Sequence, residues 1–277
     1  MFGTWGDYIM HKQINNISIH YEIIGKGQSI IFLHGLCLDL NSMKLNYEPL
    51  LLQSRYQRIY IDLPGMGESD SFSKPQPSGD YLLELIVKFI DKLNIGNFYL
   101  CGHSYGGYLA LGIAYKYPKR VKGLFLSCPV VTANPDNRIT ENHVVIKNKN
   151  TSFNEKINYN SNFLKMNVII NDSALKKYLD ETVTGLKKCN FNFVKRLRDN
   201  NFSYYQLNEE PRIKKMPSRI PIFLLLGKHD HFVGYKEQVK LAMNFKKCNL
   251  LVLENAGHNL QIDQPELFAS CVKYFFA

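Results

Sequence analysis

Short, mostly apolar runs recur along the chain and alternate with stretches of helical spacing. The runs cover residues 29–33, 58–61, 98–101, 121–126, 221–226 and 249–253. They have the length of strands but lack the polar alternation of a sheet with one face in water. Parallel strands covered by helices on both faces have this pattern. The alternation therefore predicts an α/β fold with a mostly parallel sheet flanked by helices.

Residues 130–216 interrupt this alternation. Ten asparagines fall between 134 and 167, and helical segments are predicted around 172–188 and 190–199. A stretch of this length is implausible as a structureless loop in a compact domain. We therefore interpret 130–216 as a helical cap, or lid, inserted into an α/β core formed by residues 1–129 and 217–277.

The charge of the chain limits the classes of partner. The 277 residues include 34 Lys and Arg against 24 Asp and Glu, a net charge of +10. Residues 130–216 hold 15 of these cations and 9 of the anions, which leaves +6 in the cap. The cations are scattered among asparagines and acids rather than clustered with aromatic residues, which disfavours nucleic-acid binding. We expect a small-molecule substrate, and an anionic substrate fits the positive charge of the cap. A lysine-rich composition with no role in binding would give the same excess of positive charge.

Targeting and metal-binding signals are weak. The apolar runs fall short of the ~18–20 residues of a membrane helix, and the first residues do not match a signal peptide, so we expect a cytoplasmic protein. The six cysteines form no CxxC pair and have no metal-ligand spacing with histidine, which favours reduced buried thiols. We expect no metal site and no cofactor, and the oligomeric state stays open.

A candidate nucleophile lies between a strand and a helix. Gly102-His103-Ser104-Tyr105-Gly106 matches G-x-S-x-G, with the run 98–101 before it and a buried helical segment after it. Such a sharp strand-to-helix turn exposes the serine hydroxyl at the sheet edge, beside a helix N-terminus that favours developing negative charge. Ser104 is therefore the predicted nucleophile.

A base and its orienting acid follow at later strand ends. Asp230 comes just after the run 221–226, and His258 comes just after 249–253. Serine needs a general base, and the base needs an orienting group. The chain order Ser104, Asp230, His258 is the order expected of this strand-turn-helix architecture. The three residues together predict a catalytic triad.

Backbone groups complete the predicted site. His34-Gly35-Leu36 follows the run 29–33, so the N–H groups of Leu36 and Tyr105 are the predicted oxyanion hole. His34 is expected to brace this loop rather than transfer protons. The segment 62–69, which is rich in proline and glycine, is expected to be structural.

These motifs resemble those of the α/β-hydrolase superfamily, in its serine-nucleophile, esterase/lipase-like branch. The matching segments are 34–35, 62–69, 102–107, 227–230 and 257–258. The resemblance implies a mostly parallel eight-stranded sheet, with a helical cap inserted after strand six. It also implies a serine hydrolase without metal or cofactor.

We expect a carboxylesterase-like enzyme that works through an acyl-enzyme. Lactonase, thioesterase, C–C bond hydrolase and proline-iminopeptidase-like activities remain open, and Glu209 or Glu210 could bind the amine of an aminopeptidase substrate. A ligand receptor on the same fold, with slow or no turnover, is the alternative of another class. Large apolar residues of the cap are expected to pack it onto the core or to line an acyl pocket. They are Phe153, Phe163, Leu164, Phe191, Phe193, Phe202, Tyr204 and Tyr205.

Overall fold

The computed structural model of the protein describes residues 10–147 and 160–277. The strands are β1 (Met10–Ile14), β2 (Ile17–Ile24), β3 (Gln28–Leu33), β4 (Tyr56–Ile61), β5 (Phe98–His103), β6 (Val121–Ser127), β7 (Ile146–Lys147), β8 (Ile169–Ile170), β9 (Ile222–Gly227) and β10 (Cys248–Leu253). Eight of them form one sheet in the order β1-β2-β4-β3-β5-β6-β9-β10, and β7 pairs with β8 separately. In the large sheet β2 runs antiparallel to β1 and β4, and the remaining neighbours are parallel. The predicted mostly parallel eight-stranded sheet is confirmed.

Burial explains why the strands correspond to apolar runs in the sequence. In β3, residues 30–33 are fully buried, and every residue of β9 is buried, because helices cover both faces of the sheet. The edge strand β10 is exposed along much of its length. The β1–β2 turn uses Asn15 and Asn16, both with positive φ, which matches the turn geometry that joins twisted antiparallel strands.

Helices fill the connections between strands. They are α1 (Asn41–Leu51), α2 (Gly79–Lys92), α3 (Tyr105–Lys116), α4 (Asn160–Met166), α5 (Asp172–Tyr178), α6 (Thr184–Lys188), α7 (Phe191–Arg198), α8 (Glu210–Ile213), α9 (Lys236–Ala242), α10 (Leu260–Asp263) and α11 (Pro265–Phe275). A π-helical turn, Leu179–Val183, joins α5 to α6. Ser78 caps α2 by accepting from Tyr81 N at 3.2 Å. In α3, residues 105–114 are all buried, so this helix lies inside the molecule.

The chain leaves the large sheet after β6 and rejoins it at β9, which is compatible with the predicted cap after strand six; we call residues 130–216 the insertion. Helices α4–α8 lie in this interval. Residues of α7 belong to the same hydrophobic core as the sheet, whereas Phe163, Ile170 and Tyr178 form a smaller cluster with Ile262. The division into a core of 1–129 and 217–277 and a cap of 130–216 remains a prediction. Residues 1–9 and 148–159 of these segments lie outside the described residues.

One contact shows how closely the insertion approaches the core. Gly65, in the loop after β4, has φ +79°, and a Cβ there would lie 2.3 Å from Cδ1 of Phe193 in α7. The ring therefore occupies the space that any larger residue at 65 would need. Asn190, at the start of the same helix, donates its N–H to the Gly65 carbonyl at 3.0 Å. The insertion and this loop fit together as one packed unit.

The large apolar residues of the insertion differ in burial: Leu164 and Phe202 are half-buried, and Tyr204 is exposed. Phe163, Phe193 and Tyr205 are buried as expected. Phe191 is 58% exposed, so its expected packing role is wrong: it lies on the outer side of α7. Phe153 lies outside the described residues. None of the helices in 10–147 or 160–277 is long and apolar enough to cross a bilayer.

Candidate active site

Ser104 lies at the turn between β5 and α3, as the sequence predicts. Its φ of 52° and ψ of −116° fall in a region that non-glycine residues rarely adopt. The turn is held by Ser104 N donating to Ser127 O at 3.1 Å, and by Val130 N donating to Ser104 O at 3.1 Å. Strain of this kind is maintained by its surroundings and is common at active sites. The hydroxyl of Ser104 therefore has a fixed position at the sheet edge.

The glycines around Ser104 are required for close packing. A Cβ at Gly106 would lie 2.1 Å from the Leu33 carbonyl oxygen, and a Cβ at Gly102 would lie 2.6 Å from Gly107 Cα. Neither backbone can move away, because β3, β5 and α3 are in direct contact. Small residues at these positions let α3 start against the sheet, as the sequence motif implies.

The three predicted side chains form one hydrogen-bonded chain. His258 Nε2 lies 2.9 Å from Ser104 Oγ, and His258 Nδ1 lies 2.7 Å from Asp230 Oδ2. A carboxylate accepts only, so the proton is on Nδ1 and Nε2 is left to accept from the serine hydroxyl. His258 and Asp230 are 7% and 0% exposed. This arrangement fits a serine activated by a histidine base.

The environment of Asp230 keeps its carboxylate charged. Burial acts to raise its pKa, but the charge and hydrogen bond of His258 outweigh this and hold the pKa below its ordinary value. The N–H groups of Phe232 and Val233 each donate to Asp230 Oδ1 at 2.9 Å and act in the same direction. Asp230 thus has one oxygen committed to the backbone and the other to His258.

The ring of His103 packs beside the ring of His258, the predicted base. Its ring lies 5.1 Å from that of His258, and its Nδ1 lies 3.2 Å from the Ser127 carbonyl, to which it donates. Burial, together with the neighbouring His258, lowers the pKa of His103 to about 3. His103 is therefore uncharged at neutral pH and places no positive charge beside His258.

The loop after β3 and the start of α3 contain the two backbone N–H groups of the predicted oxyanion hole. His34 Nδ1 donates to Gly35 O at 2.7 Å, and its Nε2 accepts from Leu63 N at 2.9 Å, so His34 braces the loop as expected. Among the described residues, no acceptor is bonded to the N–H of Leu36 or of Tyr105. These amides remain the predicted oxyanion hole.

The loop 62–69 is a structural support for the same region. Asp62 accepts from Leu40 N at 2.6 Å and from Glu68 N at 2.8 Å, and its Oδ2 lies 2.7 Å from His20 Nδ1. Ser69 Oγ donates to Asp62 O at 2.7 Å. Asp62 therefore ties three segments together, which agrees with the structural role expected for this loop.

One potential metal-ligand cluster occurs in the described part of the chain, and it overlaps the triad. It consists of Cys128, Asp230 and His258, all buried. Asp230 and His258 are already hydrogen-bonded to each other, and His258 is also hydrogen-bonded to Ser104, so an ion bound there would disrupt this chain. His229 and His231 do not join this cluster.

Two supports of the predicted triad are not evident from the sequence. The backbone donors of Phe232 and Val233 depend on a turn that forms only in the folded loop. Asp263 is 5% exposed and binds Gly257 N, next to His258, at 2.9 Å. The signal that could have found Asp263 was its position five residues after His258, at the end of a short helix.

Comparisons with known proteins agree with this geometry. A sequence model of the α/β hydrolase fold matches residues 28–265. The chain is 24% identical over 275 residues to a 2-hydroxy-6-oxononadienedioate/2-hydroxy-6-oxononatrienedioate hydrolase of Escherichia coli (strain K12 / DH10B), covering 94% of this chain and 91% of that protein.

Two solved structures are also similar. An alpha/beta superfamily hydrolase from Oenococcus oeni PSU-1 has a TM-score of 0.87 at 40% identity, covering 93% of this chain and 94% of that one. An esterase from Exiguobacterium antarcticum has a TM-score of 0.70 at 21% identity, covering 98% and 100%. The chain therefore belongs to the α/β hydrolase fold family, a family of hydrolases.

Proposed function

We propose that this protein is a serine hydrolase that cleaves a carboxylic ester, or a related acyl bond, of a small molecule. The observation that carries the proposal is the unbroken chain of hydrogen bonds from Asp230 through His258 to Ser104. The strained backbone of Ser104, which fixes the hydroxyl at the N-terminus of α3, supports it as well.

In the first half of the reaction, Ser104 Oγ attacks the substrate carbonyl carbon while His258 Nε2 takes its proton. The oxyanion accepts hydrogen bonds from the N–H groups of Leu36 and Tyr105, each worth about 10²–10³ in rate. Asp230 stabilises the imidazolium that forms. The tetrahedral intermediate then expels the alkoxide, which takes the proton from His258.

In the second half, water is the nucleophile. His258 removes a proton from water as its oxygen attacks the acyl carbon, and the bond to Ser104 Oγ then breaks. The serine oxygen takes the proton back from His258, and the carboxylic acid leaves. These steps use side-chain and backbone groups of this chain, and they require no metal or organic cofactor.

Hydrolysis of a carbon–carbon bond in an anionic keto acid is the second candidate. The Escherichia coli relative is named for such a substrate, a dioate. The net charge of +6 in the insertion fits an anion, but several of these cations are paired, such as Lys177 with Glu181 and Lys188 with Glu68. Arg198 acts on the loop that carries Leu36: a hydrogen bond with Cys189 and, more weakly, the charge of Arg198 lower the pKa of Cys37, the next residue.

The contacts of Glu209 and Glu210 weigh against an aminopeptidase. Glu210 Oε2 accepts from Tyr108 Oη at 2.6 Å and from Ala133 N at 2.8 Å, and Glu210 Oε1 lies 3.0 Å from Lys214 Nζ. Glu209 pairs with Arg212 at 2.9 Å. These carboxylates are therefore engaged within the protein rather than free to bind a substrate amine.

Labelling with a fluorophosphonate followed by peptide mapping tests the nucleophile. We expect a single adduct on Ser104 that is absent from Ser104→Ala. An adduct elsewhere, or none, would rule out the nucleophile assignment.

A substrate panel then tests the reaction type. It contains p-nitrophenyl esters of increasing acyl length, a lactone, a thioester, an aminoacyl amide and a 2-hydroxy-6-oxo-dienoate, each assayed against Ser104→Ala. Turnover of esters supports the first candidate, and preferred turnover of the dienoate supports the second. A Ser104 adduct without turnover of any member would contradict the enzyme proposal and favour a ligand receptor.

A further inference from the structure

The loop that carries His258 is held by a carboxylate outside the triad. We call residues 254–259, between β10 and α10, the histidine loop. Asp263, the last residue of α10, accepts from Gly257 N through Oδ2 at 2.9 Å. Its side chain is almost fully buried. Asp263 thus fixes the residue immediately before His258 without bonding to any group of the triad.

The other oxygen of Asp263 binds the insertion. Its Oδ1 accepts from the N–H groups of Val168 and Ile169, both at 3.0 Å, and from Asn167 Nδ2 at 3.4 Å. Residues 167–169 form the connection from α4 into β8. One carboxylate therefore joins the histidine loop to a three-residue stretch that is nearly a hundred positions away in the sequence.

A second contact joins the same two segments. The side-chain oxygen of Asn167 accepts from Asn259 Nδ2 at 3.2 Å, and both residues are buried. The residues on either side of His258, Gly257 and Asn259, are thus both connected to 167–169. A displacement of this stretch would be transmitted to the backbone on both sides of the histidine.

The N–H groups that donate to Asp263 explain why a carboxylate can occupy this buried position. Burial raises the pKa of Asp263 to about 6, while its backbone and side-chain N–H donors act to lower it. A carboxylate has two acceptor oxygens and can serve donors on opposite sides at once, whereas the amide of asparagine has one. An asparagine here would leave a buried N–H without an acceptor on one side.

We propose that Asp263 is a positioning residue, which makes the placement of His258 depend on docking of residues 167–169 against the histidine loop. The proposal rests on the function proposed above. It assigns Asp263 no contact with substrate: Asp263 acts through Gly257 on the distance between His258 Nε2 and Ser104 Oγ. A displacement of about 1 Å in such a contact can cost a factor of about 10² in rate.

The test compares Asp263→Asn with Asp263→Glu, which retains both acceptor oxygens, and with Asp136→Asn, an exposed aspartate in the insertion. We expect Asp263→Asn to lower kcat about 10- to 100-fold with KM changed less than about threefold. Asp263→Glu should recover part of the loss, and Asp136→Asn should behave like wild type. If Asp263 had a purely structural role, Asp263→Asn would lower Tm, but at temperatures well below Tm it would not lower kcat selectively over KM.

Hydrogen exchange supplies a readout that does not need turnover. In Asp263→Asn, amides in both 165–172 and 254–260 should exchange faster, because each has lost the shared acceptor. Faster exchange in 165–172 alone, or an unchanged kcat, would overturn the proposal. If Asp263→Asn fails to fold, Asn167→Ala keeps the Gly257 contact and should give smaller changes of the same kind. If wild type cleaves none of the substrates, Ser104 labelling and exchange still report separately on the two proposals.

Discussion

The predicted triad residues lie in the turns and loops that follow β5, β9 and β10, whereas the chain leaves the sheet after β6, passes through residues 130–216 and returns at β9. At the strand ends, close backbone contacts set the geometry. Examples are the approach of Gly106 to the Leu33 carbonyl oxygen and the two backbone N–H groups that donate to Asp230. In the insertion, side chains make the connections, such as the Phe193 ring on Gly65 and Asn167 on Asn259. The first region is fixed mainly by backbone packing and backbone hydrogen bonds, and the second mainly by side-chain contacts with other parts of the chain.

Ser104→Ala should produce the largest loss of activity, and it tests whether the serine at the end of β5 is the nucleophile. We expect kcat to fall by a factor of at least about 10⁴ because the nucleophile is gone. Ser270→Ala, an exposed serine on α11, is the control and should retain wild-type kcat. Comparable activity in the two variants would remove Ser104 from the mechanism.

Phe193→Ala tests whether the insertion depends on core packing. Phe193 is 2% exposed, so its removal should lower the free energy of unfolding by about 3–5 kcal/mol. Phe191→Ala, two residues earlier on the same helix and largely exposed, should change it by less than about 0.5 kcal/mol. Urea unfolding measures both, and similar losses in the two variants would contradict the packing of α7.

Gly106→Ala tests the backbone contact at the strand ends. Its Cβ would meet the Leu33 carbonyl oxygen at 2.1 Å, so β3 and α3 must separate, at a cost of about 1–3 kcal/mol or more. At Gly96 a Cβ meets nothing within 4 Å, so Gly96→Ala should leave stability nearly unchanged. A Gly106→Ala protein with wild-type Tm and activity would show that the turn is less constrained than its geometry implies.

The buried His103 predicts a pH dependence of stability. Its pKa is about 3 in the folded protein and about 6.5 when unfolded, so the unfolded chain binds more protons between these values. Stability is therefore lost as the pH falls, and His103 should account for about 2 kcal/mol of the loss between pH 7 and pH 5. His103→Gln should show a loss smaller by that amount, measured by urea unfolding at both pH values. Identical losses would mean that His103 is charged in the folded protein.

Arg198→Gln should produce the smallest effect, and it tests the charge of the insertion. If this cation attracts an anionic substrate, KM for an anionic ester should rise about threefold at low salt and return towards wild type in 0.5 M salt. KM for a neutral ester of the same size should not change. Lys195→Gln on the same helix is the control for a general loss of charge. Equal changes of KM for both esters would mean that the positive charge of the insertion has no role in attracting an anionic substrate.

Local patterns predicted most of the large sheet and singled out Ser104, Asp230 and His258, which the structure brings together. The strand runs, the G-x-S-x-G turn and the residues after strand ends are short segments that can be recognised from their own composition. The sheet order and the contacts of the insertion could not be read in this way. Asn167, Asn259 and Asp263 are ordinary polar residues in the sequence, and their partners become neighbours only after folding. Phe191 and Phe193 illustrate the same point, because apolar character alone does not say which of the two faces the core.

The contact between Gly65 and Phe193 restricts how insertions can be exchanged among related folds. A chimera that receives another insertion after β6 would retain a loop shaped around an aromatic ring, with a positive φ that suits glycine. Conversely, this insertion grafted onto a host with a side chain at the equivalent of residue 65 would meet that side chain at α7. The segment is thus not a free-standing module, and a functional graft should carry the loop 62–69 together with α7.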